Sequence, residues 1–269
     1  MKVSVIITSF NRADTLRRAI DSVLMQVTDF PVQVIIVDDG SADGSRDIIN
    51  SYPSQKGNIR INKHLLNHRG MMKNYDYAFK LCIGEFITFA DCDDYWLVPD
   101  RLQRYADYMD ARPEVGFCTS RIITERYGEK IDTSLKAKEA LKRLTFDNLL
   151  KGNAAVYAQG YFIRKSVFDK YIDFGMFSKK FLVWDYPIIL ELIRRTNFGQ
   201  LNYVTAVFFV SKESKTMTCN RLKRFNLIMG YAKIRWYYIF KYGCKFSTLC
   251  YVVYKFVRDL LSIILKRWY

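Results

Sequence analysis

The chain has 269 residues, 50% of them hydrophobic, which is enough to bury a sizeable core in one domain or in a domain with an appendage. It contains no run of about 18 uncharged apolar residues, and its first apolar stretch meets Asn11 and Arg12 too early for a secretory signal. We therefore expect neither a transmembrane helix nor a signal peptide. The formal net charge is +15, of which residues 215–269 contribute +11.

The cysteines and histidines exclude several kinds of site. The six cysteines show no C-x-x-C pair and no framework spacing, and several stand in apolar runs, which favours buried thiols in a reducing cytosol. The two histidines, His64 and His68, have H-x-x-x-H spacing without a third ligand in view. This pattern favours two ordinary surface or loop histidines over a zinc site, and it leaves almost nothing for a histidine-based triad.

Residues 1–125 alternate between strand and helix patterns. Apolar runs predict strands at 2–8, 32–39, 58–62, 85–91 and 115–125. Apolar residues at helical spacing predict helices at 14–25, 45–52, 71–82 and 99–111. This alternation predicts an α/β fold with a mostly parallel central sheet and helices on both faces.

Residues 126–220 are less regular. They predict a strand running into a turn at 160–168, a helix at 184–195 and a strand at 201–210. We find no repeat and no clear linker before about residue 220. Residues 1–220 are therefore predicted to form one domain, with halves of about 1–125 and 126–220, followed by C-terminal helices at 221–269.

Three polar clusters follow predicted strands: TSFNR (8–12), DDGSADGS (38–45) and DCDD (91–94). In open parallel sheets, ligands bind beyond the carboxyl ends of the strands. The sequence therefore predicts a ligand site at this edge of the sheet.

The DCDD segment gathers Asp91, Asp93 and Asp94 directly after an apolar run. Clustered carboxylates suit a hard cation such as Mg²⁺ or Mn²⁺, which takes further ligands from water and substrate phosphates. The simpler alternative is an acidic turn in which Asp94 or Asp100 caps the next helix. The residues alone leave both interpretations open.

The other acidic positions also have two interpretations. In DDGSADGS, Asp43 or Ser45 could cap a helix, and the EF-hand spacing and its terminal Glu are missing. Asp185 opens the predicted helix DYPIILELIRR, either as an N-cap worth ~1 kcal/mol or as a general base at a cleft. No G-x-G-x-x-G or Walker sequence occurs.

Three ordered segments, VSVIITSFNRADTLRRAIDSVL, VIIVDDGSADGS and GEFITFADCDDYWLVPDRL, resemble family 2 of the inverting glycosyltransferases, which have a GT-A fold. The resemblance covers about residues 1–125, and WDYPIILELI resembles a later acidic motif of the family. It implies single-displacement transfer from a nucleotide-diphospho-sugar donor to an acceptor hydroxyl. The expected acceptor is a saccharide or a lipid-linked saccharide in bacterial surface glycan synthesis.

The resemblance also implies roles for residues at matching positions. The nucleotide pocket would include Thr8, Phe10 and Arg12, with Asp39 reading the base and Lys73 near the nucleotide.

For the cation and the chemistry, the resemblance implies three acids. Asp91 would lie by the ribose or the cation, and Asp93 would bind the Mn²⁺ or Mg²⁺ that bridges the diphosphate. Asp185 would deprotonate the acceptor hydroxyl.

The chain departs from the family pattern at two places. The acidic pair before the late helix is here Trp184-Asp185, so one acid remains. A histidine often found after the late strand is absent, with Ser211 near its place and Lys212 or Lys215 able to supply a charge. Both departures favour weaker metal dependence than is usual in the family.

Residues 221–269 predict basic, aromatic-rich amphipathic helices. The last helix has an apolar stripe made of Leu249, Val253, Phe256, Leu260 and Ile264. The opposite, polar face carries Thr248, Lys255, Asp259, Ser262 and Lys266. Such a mixture fits an anionic membrane surface, where each Lys or Arg contributes about 1 kcal/mol. The simpler alternative is an amphipathic cover packed on the domain. We expect a cytoplasmic protein that is peripheral at the inner face of the cell membrane.

Three rival functions remain. A sugar nucleotidyltransferase would need a Gly-rich loop after the first strand, and TSFNR is not one. A catalytically silent partner subunit stays open because of the missing acid and histidine. A nucleic-acid binder is disfavoured because the aromatic residues of the basic tail fall at helical core spacing, so we expect no nucleic-acid partner.

Overall fold

The computed structural model describes residues 1–126, 128–132, 137–152, 156–210 and 221–264. Within them lie ten strands: β1 (Val3–Ser9), β2 (Val32–Asp38), β3 (Gln55–Lys56), β4 (Ile59–Leu65), β5 (Phe86–Phe89), β6 (Tyr95–Trp96), β7 (Val115–Arg126), β8 (Glu129–Asp132), β9 (Phe162–Arg164) and β10 (Asn197–Val210).

The same residues form eleven α-helices and a 3-10 helix. The α-helices are α1 (Ala13–Leu24), α2 (Ser45–Ser51), α3 (Met71–Leu81), α4 (Arg101–Asp110), α5 (Ala137–Arg143), α6 (Phe146–Lys151), α7 (Lys165–Tyr171), α8 (Phe174–Lys180), α9 (Asp185–Leu192), α10 (Arg221–Tyr242) and α11 (Phe246–Ile264). The 3-10 helix is Ala158–Gly160.

All ten strands belong to one sheet with the order β3-β4-β2-β1-β5-β9-β7-β10-β6, and β8 pairs with β7. The strands β4, β2, β1 and β5 are parallel neighbours, which confirms the predicted parallel core. β9 runs antiparallel to β5 and β7, whereas β7 and β10 are parallel. The predicted turn after residue 164 is wrong, because α7 begins there.

The sheet has a hydrophobic core on each face. Successive side chains of a strand point to opposite faces, so Ile6 of β1 packs in one core while Val5 and Ile7 pack in the other. Helix α3 covers the Ile6 side with Tyr75, and α1 covers the other side with Ile20. Both faces are covered, as the strand–helix alternation predicts.

Helix α10 is anchored in the core on the Ile6 side of the sheet. Ile234 and Tyr238 are fully buried there, and the Tyr238 hydroxyl donates to the Pro187 carbonyl at 2.8 Å. Glu191 of α9 accepts from Lys241 Nζ at 2.9 Å and also from the Tyr242 hydroxyl. In the described part of the chain, every helix falls short of the length or apolar content that a bilayer span requires.

Candidate active site

The carboxyl ends of β1, β2 and β5 open onto one cleft of about 470 Å³. The three polar clusters of the sequence meet there, as their positions after parallel strands predict. Six of the eight predicted site residues line it: Thr8, Phe10, Arg12, Asp39, Asp91 and Asp93.

The other two predicted residues lie outside the lining. Lys73 has an exposed side chain in the first turn of α3, while its neighbour Asn74 is buried and lines the cleft. Asp185 begins α9 directly after Trp184, which does line the cleft. The charge of Asp185 also contributes to the raised pKa of Asp91.

The DCDD segment forms a tight turn between β5 and β6, in which the Asp94 N–H donates to the Asp91 carbonyl at 3.0 Å. Asp91 Oδ1 accepts from the Tyr75 hydroxyl at 2.6 Å, and Oδ2 accepts from Gln159 Nε2 at 3.2 Å. Burial and the charge of Asp93 raise the pKa of Asp91 to about 7. The turn therefore concentrates negative charge at the cleft.

Asp94 has a structural role that the sequence left open. It is buried, and its carboxylate accepts from the Phe209 N–H at 2.8 Å and from Gln159 Nε2. It thereby ties the DCDD turn to β10. Asp100 is the N-cap residue of α4, but its side chain pairs with Arg104 at 2.6 Å instead of capping, so the capping alternative is wrong for both acids.

Asp39 is held by the loop before α3. Its carboxylate accepts from the Arg69 N–H at 2.6 Å and from the Gly70 N–H at 3.0 Å, and the residue is buried. Each carboxylate oxygen has two lone pairs, so Asp39 keeps acceptor capacity toward the cleft.

Further along the DDGSADGS segment, Asp43 stabilises the starts of two helices. Asp43 accepts from the Ala13 N–H at 2.9 Å and from the Ser45 hydroxyl at 2.6 Å, which links the starts of α1 and α2. Gly44 occupies the N-cap position of α2, but the Asp43 carboxylate accepts from the Ser45 N–H at 3.1 Å and so satisfies a first-turn donor of α2.

An aromatic pair stands at the mouth of the cleft. The ring centroids of Phe10 and His68 lie 4.7 Å apart, and Phe10 is 39% exposed. His68 adopts a positive φ of 36°, as does Asn11 at 50°, and such strained backbone concentrates at functional sites. Sequence reasoning took His68 for an ordinary histidine. Its place shortly after β4, which ends at the same sheet edge, is the signal that could have identified it.

Sequence reasoning also missed four buried residues of the cleft wall: Asn74, Tyr75, Gln159 and Trp184. The Trp184 ring stacks on Tyr75 with centroids 4.2 Å apart. Among the described residues, the Asn74 Oδ1 and Ser9 Oγ atoms are buried without a hydrogen-bond partner, and both residues line the cleft. Unpaired buried polar atoms are costly, so these two favour a bound polar ligand.

Asp185 is not an N-cap. The N-cap residue of α9 is Trp184, without a side-chain cap bond, and Asp185 Oδ1 accepts from the Tyr186 N–H at 2.8 Å. Burial raises the pKa of Asp185 from its ordinary value. Ser211, near the place of the family histidine, and Lys212 and Lys215, the candidates for its charge, lie outside the described residues.

The acids of the cleft do not form a complete protein cage for a metal. Among the described residues, no group of three His, Cys, Asp or Glu side chains is arranged to hold an ion. Asp91 and Asp93 do line the same cleft, and their mutual charge is part of what raises the pKa of Asp91. This pair fits a hard cation that takes its remaining ligands from water and from a phosphate-bearing ligand.

The chain is similar to curated glycosyltransferases. It is 33% identical over 187 residues to an uncharacterized glycosyltransferase of Nostoc sp., covering 68% of this chain and 56% of the relative. It is 32% identical over 149 residues to the putative teichuronic acid biosynthesis glycosyltransferase TuaG of Bacillus subtilis, covering 55% of this chain and 57% of the relative. The chain thus spans about half the length of these relatives.

Solved structures share the fold. TarS residues 1–349 of S. aureus, in complex with UDP-GlcNAc, match with a TM-score of 0.63 and 17% identity over 96% of this chain and 81% of that chain. The mannosyltransferase PcManGT of Pyrobaculum calidifontis, in complex with GDP-Man and Mn²⁺, matches with a TM-score of 0.61 and 14% identity over 97% of this chain and 69% of that chain. These matches confirm the predicted GT-A fold. The family model for glycosyl transferase family 2 matches residues 4–172, and the chain therefore belongs to this family of glycosyltransferases.

Proposed function

We propose that the protein is an inverting glycosyltransferase that transfers a sugar from a nucleotide-diphospho-sugar to an acceptor hydroxyl. The observation that carries this proposal is the meeting of Asp39, the Phe10–His68 pair and the Asp91–Asp93 pair in one cleft. The UDP-GlcNAc and GDP-Man held by the structural neighbours support the class of donor.

The cleft offers a recognition group for each part of a nucleotide. The exposed Phe10 ring gives a base a stacking surface, and Asp39 accepts from a base N–H. Through the atoms that lack partners, Asn74 Oδ1 would accept from a ribose hydroxyl, and the Ser9 hydroxyl would donate to a ribose or phosphate oxygen. Arg12 lines the same cleft as the DCDD turn, so its guanidinium could pair with the diphosphate.

Asp93, together with Asp91, would hold a divalent cation, Mn²⁺ or Mg²⁺. When bound, this cation would neutralise the diphosphate leaving group as a Lewis acid. The chain prepares the ligands in advance: Tyr75 and Gln159 orient Asp91 through hydrogen bonds of 2.6 and 3.2 Å. Burial and the negative charge of Asp93 raise the pKa of Asp91. A bound cation would offset this repulsion between the two carboxylates.

Asp185 would act as the general base. As the acceptor oxygen attacks the anomeric carbon, its proton moves to Asp185 and the bond from that carbon to the diphosphate oxygen breaks. A raised pKa makes Asp185 a stronger base than an ordinary carboxylate, which suits proton removal near neutral pH. One such displacement inverts the configuration at the anomeric carbon.

The proposed acceptor is a saccharide or a lipid-linked saccharide at the cytosolic face of the cell membrane. The similarity to a teichuronic acid glycosyltransferase supports surface glycan synthesis. A catalytically silent partner subunit is the second candidate, because Trp184 stands where the family has another acid.

Thermal stabilisation by nucleotides tests the proposal. UDP, GDP, dTDP and CMP are each added with and without Mn²⁺ to the wild-type chain, to Asp93→Ala and to the control Asp107→Ala. Asp107 is an exposed carboxylate on α4. A ligand at 100 times its Kd stabilises by about 2.7 kcal/mol, or roughly 5 °C or more in Tm.

We expect one nucleotide to stabilise the wild type and Asp107→Ala in the presence of Mn²⁺, and Asp93→Ala to lose this response. If the nucleotide stabilises the protein equally without Mn²⁺ and in Asp93→Ala, the cation site is contradicted. The nucleotide-sugar donor site is then still supported. A complete lack of response would favour the silent subunit.

A further inference from the structure

Helix α11 buries Val252 in the core on the Ile6 side of the sheet but directs another set of apolar residues away from the protein. Its exposed large apolar side chains are Phe246, Val253, Tyr254, Val257 and Leu261, with exposures from 42% to 80%, and Cys250 is also exposed. At about 100° per residue, these six positions fall within an arc of about 100°. We call this set the outer face of α11. Of the predicted apolar stripe, Leu249, Phe256 and Leu260 are only partly buried beside it.

The polar side of α11 is held against the protein. Thr248 is fully buried, and its hydroxyl donates to Asp147 of α6 at 2.5 Å. Ser262 accepts from Arg224 of α10 at 3.2 Å. Rotating α11 to bury its apolar residues would break both contacts, so the outward direction of the outer face is built into the packing.

Helix α10 shows the same arrangement. Leu222, Phe225, Met229 and Phe240 are exposed, Phe240 to 83%, and their spacing places them on one side of the helix. We call this set the outer face of α10. The buried Ile234 and Tyr238 fix that orientation. Exposed apolar side chains gathered on one side of a helix are typical of an interaction surface.

The charge around these faces indicates the partner. Residues 221–264 contain nine Lys or Arg and one acid, Asp259. Lys245 directly precedes α11, and Arg258 lies on it; both side chains are exposed. The side chain of Lys233 on α10 is also exposed. A second copy of the chain would bring the same positive surface face to face, which is repulsive. An anionic bilayer surface complements both the apolar residues and the positive charge.

We propose that the outer faces of α10 and α11 dock on a bilayer containing anionic phospholipid, with the apolar side chains in the headgroup–acyl boundary. The 19 residues of α11 would lie along the surface over about 28 Å. This inference names the surface behind the membrane location in the proposed function, and it is independent of the transfer chemistry.

Vesicle sedimentation of the full chain tests the docking surface. The vesicles contain phosphatidylcholine with or without phosphatidylglycerol. The test variant Val257→Glu/Leu261→Glu places two acids on the outer face of α11. The matched control Val27→Glu/Ile83→Glu places two acids at exposed apolar positions in the nucleotide-binding half. We expect the test variant to lose about tenfold or more in partitioning to anionic vesicles, while the control keeps it.

A second variant, Lys245→Gln/Arg258→Gln, keeps the test decisive if the acidic variant fails to fold. It should weaken sedimentation with anionic vesicles at low salt. Equal partitioning of wild type and variants, equal binding to vesicles without phosphatidylglycerol, or a dimer that the acidic variant dissociates would each overturn the proposal. The nucleotide response of the same preparations, measured without vesicles, separates this result from the fate of the proposed transfer reaction.

Discussion

At the scale of single residues, hydrogen bonds divide the acids of the DCDD turn into two kinds. The Asp94 carboxylate accepts hydrogen bonds from the Phe209 N–H and the Gln159 amide, so its role is to stabilise the turn. Asp91 shares the Gln159 amide but also lines the cleft. Gln159 therefore positions both acids, although it stands 65 residues or more from them in the chain.

We expect Gln159→Ala to lower the free energy of unfolding by about 1–3 kcal/mol, because a buried carboxylate loses its donor. It should also reduce the Mn²⁺-dependent nucleotide response. Urea unfolding and thermal shift measure the two effects. The control is Gln103→Ala, whose amide donates to the exposed Asp107 at 2.9 Å. Equal effects of both substitutions would show that Gln159 does not position the acids.

Asp185→Asn tests the proposed general base. The base must be deprotonated, and burial raises its pKa, so kcat of the wild type should fall on acidification at a higher pH than an ordinary aspartate would give. In the variant, we expect a loss of about 10²–10⁴-fold in kcat, with this acidic limb gone and the donor KM little changed. The pH profile of kcat checks this, and an unaltered acidic limb in Asp185→Asn would rule out the role.

At the scale of elements, Glu191 clamps α10 onto α9. The residue is 2% exposed and accepts from Lys241, Tyr242 and Arg195. Burial by itself would raise the pKa of Glu191, but the hydrogen bonds from Tyr242 and Lys241 outweigh it and leave the pKa below its ordinary value. The clamp is therefore stronger when Glu191 is ionised.

We expect Glu191→Gln to lower the free energy of unfolding at neutral pH by about 1–3 kcal/mol. The loss should lie toward the lower end because Lys241 and Arg195 are partly exposed, so solvent screens their pairing with Glu191. A lowered folded-state pKa contributes stability above the ordinary glutamate pKa, and this contribution disappears as the pH falls through the folded-state value. The difference between wild type and variant should therefore shrink in acid. Urea titrations across that range measure it, and a difference independent of pH would contradict the clamp.

At the scale of the whole molecule, the C-terminal helices have two sides with different tasks. The inner side of α10 completes a core shared with the sheet and α3, and the outer faces remain exposed. The two interpretations of the tail, a cover for the domain and a membrane surface, are thus compatible. The boundary at residue 220 remains a prediction.

A chain that ends at residue 220 should be less stable than one that ends at residue 244. The shorter chain exposes the pocket that Ile234 and Tyr238 fill, and the burial of these two side chains contributes roughly 3–6 kcal/mol. Urea unfolding midpoints of the two truncated chains measure the difference. Equal midpoints would show that α10 adds little to the core.

The sequence by itself determined the parallel strands, most helices of residues 1–125 and the sheet edge where Thr8, Asp39 and Asp91 meet. These features follow from local periodicity and from the direction that alternating strands and helices impose on a parallel sheet. Only the tertiary structure decided that Gln159 and Trp184 join the cleft, that Asp94 faces β10 and that α11 leaves part of its apolar surface exposed. Each of these depends on partners that are distant in the chain, such as the 115 residues between Asp94 and Phe209, and no local pattern records such contacts.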